Sequence, residues 1–283
     1  LPATQLHSMS AAYSYFYRGL TASAEAERIV QLGSMFQALG HVVHHLQDMA
    51  QPQHVRNEPH LSYVDTSYYE SWTDDHRGAL PLTGYPAPAL SDFSTARRFW
   101  THGGKGIAEF TSKNFVSNDT NFRGGLGNFT SHPEFPLPAV DRNPPIEKVT
   151  LSSLVGAGAP YPSAEVWFIG TPVTDVYLPA LSRFNSRSSA LSVLSPELGR
   201  LTGAIPTALN RFNFTAAHQF LIPRAVAYSA GMIDYFFRGR LALEDYDHAG
   251  GSVTLKVRNV STADFAMRAW LDDELPELAL YYD

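Results

Sequence analysis

Residues Gly40 to His54 read GHVVHHLQDMAQPQH, and this stretch ends one helix and starts a turn. Upstream of it Ile29, Leu32, Phe36, Leu39, Val43 and Leu46 recur at spacings of three and four without an intervening proline. That periodicity predicts a long amphipathic helix over residues 24–50. Pro52 ends it, because the residue before a proline is pushed out of the helical region. On such a helix His44 and Asp48 lie four apart and project from one face. Two side chains at that spacing can chelate one zinc ion. The break at Pro52 lets the chain carry His54 back beside a neighbouring ion, and the two oxygens of Asp48 can bridge a pair of ions about 3.5–4 Å apart. The bland alternative, a helix end with incidental histidines, suits an isolated H-x3-D better than one followed by P-x-H.

Outward from this segment, a second helix is expected around Tyr68–Asp75, a Pro- and Gly-rich loop over Gly78–Asp92, and a helix over residues 94–117 with Phe99, Ile107, Phe110 and Phe115 as core candidates. Residues 118–210 read as irregular, with one short hairpin expected between Glu165–Ile169 and Thr174–Leu178. Helical patterning returns at 215–238, where Pro223 is expected near the first turn. After Gly239 the character changes: Ser252–Val257 alternates as a strand, and strand patterning resumes at Phe265–Leu271 and Leu278–Tyr282. The expectation is a mainly α protein: a helical zinc domain over 1–240, with a long irregular insertion at about 118–210. A β-rich C-terminal segment over 241–283 would follow, either packed on the helical body or beginning a second domain.

Composition narrows the chemistry. The chain has 283 residues, 44% of them hydrophobic, and a formal net charge of −6. The apolar fraction excludes disorder throughout, and the acidic balance weighs against double-stranded DNA as a partner. There is no cysteine, so any metal must be held by nitrogen and oxygen ligands. Six of the eleven histidines (His41, His44, His45, His54, His60 and His76) crowd between residues 41 and 76. The opening Leu1-Pro2 has no basic n-region or following apolar run of a signal peptide.

The arrangement H-x3-D-x3-P-x-H, formed by His44, Asp48, Pro52 and His54, resembles the signature of the bacterial zinc-dependent phospholipase C superfamily, which is related to the fungal-type single-strand zinc nucleases. Glu70, in Ser67-Tyr-Tyr-Glu-Ser-Trp72, is similar to that family's acidic ligand. Phe99-Trp100, the segment Gly106 to Phe110 and the helix beginning at Arg224 resemble its later helices, so the likeness spans roughly residues 24–240. The resemblance implies two or three zinc ions: His44 and Asp48 on one, Asp48 bridging to the next, and His54 and Glu70 on a further one. It also implies a secreted bacterial protein.

The chain departs from the family in two places. The histidine expected four residues before the acidic ligand is replaced by Thr66, leaving His60 as the nearest substitute. The family's upstream Trp, His, Asp and His ligands have no counterpart beyond His7, and residues 1–47 contain no aspartate. His41 and His45, flanking His44, are expected not to touch metal, with His41, one turn away, in a supporting position.

The implied activity is hydrolysis of phosphate esters, with phospholipid head groups as substrate, Asp48 as the catalytic residue, and at most peripheral contact with a membrane surface. A single-strand nuclease would instead draw on Tyr63, Tyr68, Tyr69 and Trp72 to stack bases. A third possibility, motivated by the missing upstream ligands, is a non-catalytic metal- or lipid-binding protein.

Overall fold

The computed structural model describes residues 5–56, 68–116, 145–191, 207–239, 241–249 and 252–260. Two compact units divide the chain: residues 1–46, 87–96 and 229–283 form the first, and residues 47–86 and 97–228 the second.

In the first unit, α1 (Met9–Thr21) starts where the Ser8 hydroxyl accepts the Ala11 N–H at 3.1 Å, satisfying one of the orphan donors of a helix start. It packs on α2 (Glu25–Asp48) through Ala12, against Met35, Ala38 and Leu39 with Phe236 closing the cluster. The apolar stripe of α2 is rotated from its expected position. Met35, Ala38, Leu39, Val42 and Leu46 are buried, whereas Ile29 and Phe36 are 63% and 61% exposed. Several stripes on this helix are apolar enough to be buried, and the one carrying Met35, Ala38 and Leu39 is the one that joins Ala12 and Phe236 in the core. The hairpin of β5 (Leu241–Ala249) and β6 (Ser252–Asn259) also belongs here. The expected strand at 252–257 thus pairs with a segment before it. The strand expectations at 265–271 and 278–282 lie outside the described residues.

The second unit corrects the expectation of a mainly α, phospholipase C-like multi-helix domain: the chain is mixed α and β. Within the supposedly irregular 118–210 stretch stands a four-stranded antiparallel sheet. Its strands are β1 (Ile146–Thr150), β2 (Glu165–Val173), β3 (Arg183–Leu191) and β4 (Thr207–Ala208), side by side in chain order. Strand β2 does not pair with Thr174–Leu178 as expected, but with β1 and β3. The backbone of 174–178 is instead satisfied by side chains. Asn114 accepts the Thr174 N–H at 2.8 Å and donates to its carbonyl at 3.0 Å, and Asp175 accepts the Leu178 N–H at 2.7 Å.

The helix expected over 94–117 is broken in two. A single 3-10 turn at Ala96–Phe99 is followed by α5 (Ile107–Asn114). Between them Gly103 and Gly104 take φ of 59° and 87°, left-handed values that interrupt any helix. The Glu109 carboxylate then caps α5 by accepting the N–H groups of His102 at 2.6 Å and Gly106 at 3.0 Å. All four predicted core residues, Phe99, Ile107, Phe110 and Phe115, are buried. A short helix, α6 (Leu151–Val155), follows β1.

The last long helix, α7 (Phe214–Phe236), holds Pro223 in its interior rather than in the first turn. A proline there leaves the carbonyl four residues earlier without its helical donor. That carbonyl belongs to Gln219, and Arg183 of β3 donates to it at 2.8 Å.

Candidate metal centre and its surroundings

Helix α3 (Pro52–Val55) begins with proline at its first position, where the missing N–H costs nothing. It holds Pro52, Gln53 and Val55 in the interior and leaves His54 half-exposed. Helix α4 (Tyr68–Asp75) has two working faces. Tyr69, Trp72 and Thr73, with His76 just beyond the helix end, recur at helical spacing. Glu70 lies on the other side. It is exposed, and its Oε1 stands 3.0 Å from His54 Nε2 across sixteen residues of sequence.

His44 and Asp48 share one face of α2, a turn apart. His44 is exposed and Asp48 half-buried. The ring of His7 lies against that of His41 with centroids 4.1 Å apart. His60, Tyr63 and Thr66 lie outside the described residues. Among the described residues, no group of three or more His, Asp or Glu side chains gathers as a metal-binding cluster. What the described residues bring together is therefore His54 with Glu70, and His44 with Asp48 along one helix.

The donor set suits zinc. An imidazole nitrogen and a carboxylate oxygen are ordinary zinc ligands, and two ligands at about 2.0–2.1 Å in a tetrahedral shell stand roughly 3.3 Å apart. The His54–Glu70 separation is a few tenths of an ångström shorter.

The inner face of α4 meets His218 of α7. Its Nε2 lies 3.0 Å from Thr73 Oγ1, and the Thr73 hydroxyl donates to the Tyr69 carbonyl at 2.6 Å. With its one proton so used, Thr73 can only accept, so Nε2 carries the hydrogen of a neutral imidazole. Tyr69 and Trp72 pack against the same ring, centroids 5.1 and 5.5 Å away. Burial, with a smaller contribution from the neighbouring His76, pushes the pKa of His218 down to about 4.

Sequence reading missed a buried ion pair. Asp175 and Arg224 hydrogen-bond to one another at 3% and 2% exposure. The Arg224 guanidinium carbon lies 3.3 Å from the Phe110 ring centroid and 4.3 Å from that of Tyr85. The pair borders a cavity of about 310 Å³ together with Tyr85, Arg183 and Phe220. Nothing local marks these residues, which lie forty-nine positions apart. No known protein family matches the chain, and neither a curated protein nor a solved structure does.

Proposed function

We propose that the chain is a zinc-dependent hydrolase of phosphate esters, acting on phospholipid head groups. The observation that carries this reading is the His54–Glu70 contact at 3.0 Å, between two residues read from the sequence as ligands of one ion. Two separate elements, α3 and α4, supply that pair. Helix α2 carries the H-x3-D face of His44 and Asp48. His60 and His7 are the further candidate ligands offered by the sequence. When bound, zinc supplies Lewis-acid polarisation of the phosphoryl oxygens and an activated water at neutral pH.

The chain's own residues do the positioning. Asp48, in the last turn of α2, would offer its carboxylate oxygens to the metal. His54 Nε2 and Glu70 Oε1, now 3.0 Å apart, would each turn a lone pair to the ion in place of their mutual contact. Pro52 sets the break in the chain that separates Asp48 from His54. No serine or cysteine nucleophile is required.

Elemental analysis of the purified protein, followed by assays on a choline phospholipid and on single-stranded DNA, tests the reading. Two or more zinc ions with head-group release support it, and His44→Ala and Asp48→Ala should each lose zinc. Cleavage of DNA without lipid would move the substrate to the nuclease alternative. Little or no zinc with both substrates intact would leave a non-catalytic protein and overturn the proposal.

A further inference from the structure

On the side of α4 opposite Glu70 lies a pocket of about 610 Å³, walled by Trp72, His76, Val155, Arg187, Arg211 and Phe212. No aspartate or glutamate occurs among its described lining residues, although the chain as a whole is acidic. The two arginines play different parts. Arg187 is locked by Glu147, which accepts from Nε at 2.9 Å and from Nη2 at 2.7 Å. A guanidinium has five N–H donors, so three remain beyond this fork, in fixed orientation. Arg211 is exposed and lies over the Phe212 ring at 4.8 Å.

The opposite kind of surface is aromatic. The Trp72 and His76 rings are stacked with centroids 3.8 Å apart and planes within 13°. His76 is held there because its Nδ1 donates to the Trp72 carbonyl at 2.7 Å, a bond that also fixes the ring plane.

Preset donors and a second cation select an anion with several acceptor oxygens, and a ready-made stack selects a planar ring. We infer that this pocket binds an aromatic phosphate ester, with the phosphate between Arg187 and Arg211 and the ring continuing the Trp72–His76 stack. The pocket shares none of the proposed zinc ligands, so the inference does not rest on the metal reading.

Calorimetric titration of the full chain with adenosine monophosphate, inorganic phosphate and octyl phosphate tests it. Saturable binding of adenosine monophosphate is expected, at least about tenfold tighter than either other probe, since base stacking on an aromatic side chain is worth that much. Arg211→Ala and His76→Ala, both at exposed positions, should each weaken it about tenfold while leaving the melting temperature in place. His54→Ala should not change it. Equal affinity for all three probes, or tighter binding of octyl phosphate, overturns the aromatic assignment. Loss of binding in His54→Ala with Arg211→Ala unaffected would put the ligand at the metal centre and overturn the pocket. Absence of saturable binding overturns the inference outright.

Discussion

His218 shows what burial does to a single titratable group. The folded protein holds its imidazole neutral beside Tyr69, Trp72 and Thr73, with a pKa of about 4 in place of 6.5. Between those values the unfolded chain binds a proton that the folded chain refuses. Stability is therefore complete above pH 6.5, falls as the pH drops toward 4, and levels off below it. The loss attributable to this residue is on the order of 3 kcal/mol. Urea unfolding midpoints measured across that range should show it, and His218→Phe should flatten this part of the profile. An unchanged slope in the variant would assign the acid sensitivity to other groups. At the same scale, the proposed ligand positions rest on spacing along the sequence. His44 and Asp48 depend only on helix periodicity, which is local. The approach of Glu70 to His54 was anticipated by motif resemblance, whereas His218 and Arg187 carried no local mark.

Between α5 and the preceding 3-10 turn, the decisive element is a tight loop. A Cβ placed on Gly106 would lie 2.2 Å from the Trp100 carbonyl oxygen and 2.6 Å from the Thr101 nitrogen, so the backbone itself must move to admit any side chain. Gly106→Ala should cost about 3 kcal/mol, read as a drop in unfolding free energy, with Gly78→Ala, where nothing lies within 4 Å of the added carbon, as the comparison. Full stability in Gly106→Ala would mean that this loop is not held as described. Elements differed sharply in how far they could be read. Helix α4 occupies the residues predicted for it, because its apolar spacing and its length are contained in the same eight residues. The strands could not be placed the same way. Strand β1 alternates between exposed and half-buried positions without a fully buried one, and β2 owes its neighbours to residues up to two dozen positions away. Strand patterning shows where a chain can extend, and the pairing partner is a non-local choice.

The second unit is joined from two stretches of chain, and the Asp175–Arg224 pair is one of the bonds that join its sheet region to α7. Both Asp175 oxygens are engaged, one by Arg224 and the other by the Leu178 N–H. Asp175→Asn removes the charge that compensates a guanidinium of 2% exposure and should destabilise the unit by about 3–5 kcal/mol. Replacing both partners by apolar residues, Asp175→Leu with Arg224→Met, should recover much of that loss, because no uncompensated charge remains. Denaturant unfolding of the single and double variants reads the difference, and a double variant as unstable as the single one would show that the hydrogen bonds, rather than the buried charge, dominate.

Local order alone carried helix α4, the core aromatics around Phe110, the break at Pro52 and the H-x3-D-x3-P-x-H spacing. Each of those depends on residues within one or two turns of one another. The buried stripe of α2, the antiparallel sheet inside a stretch rich in Gly and Pro, the neutral His218 and the arginine pocket beside Trp72 were decided by tertiary structure. In each of them the favourable term, whether burial, strand pairing or compensation of a charge, comes from a partner far along the chain, which no local pattern specifies.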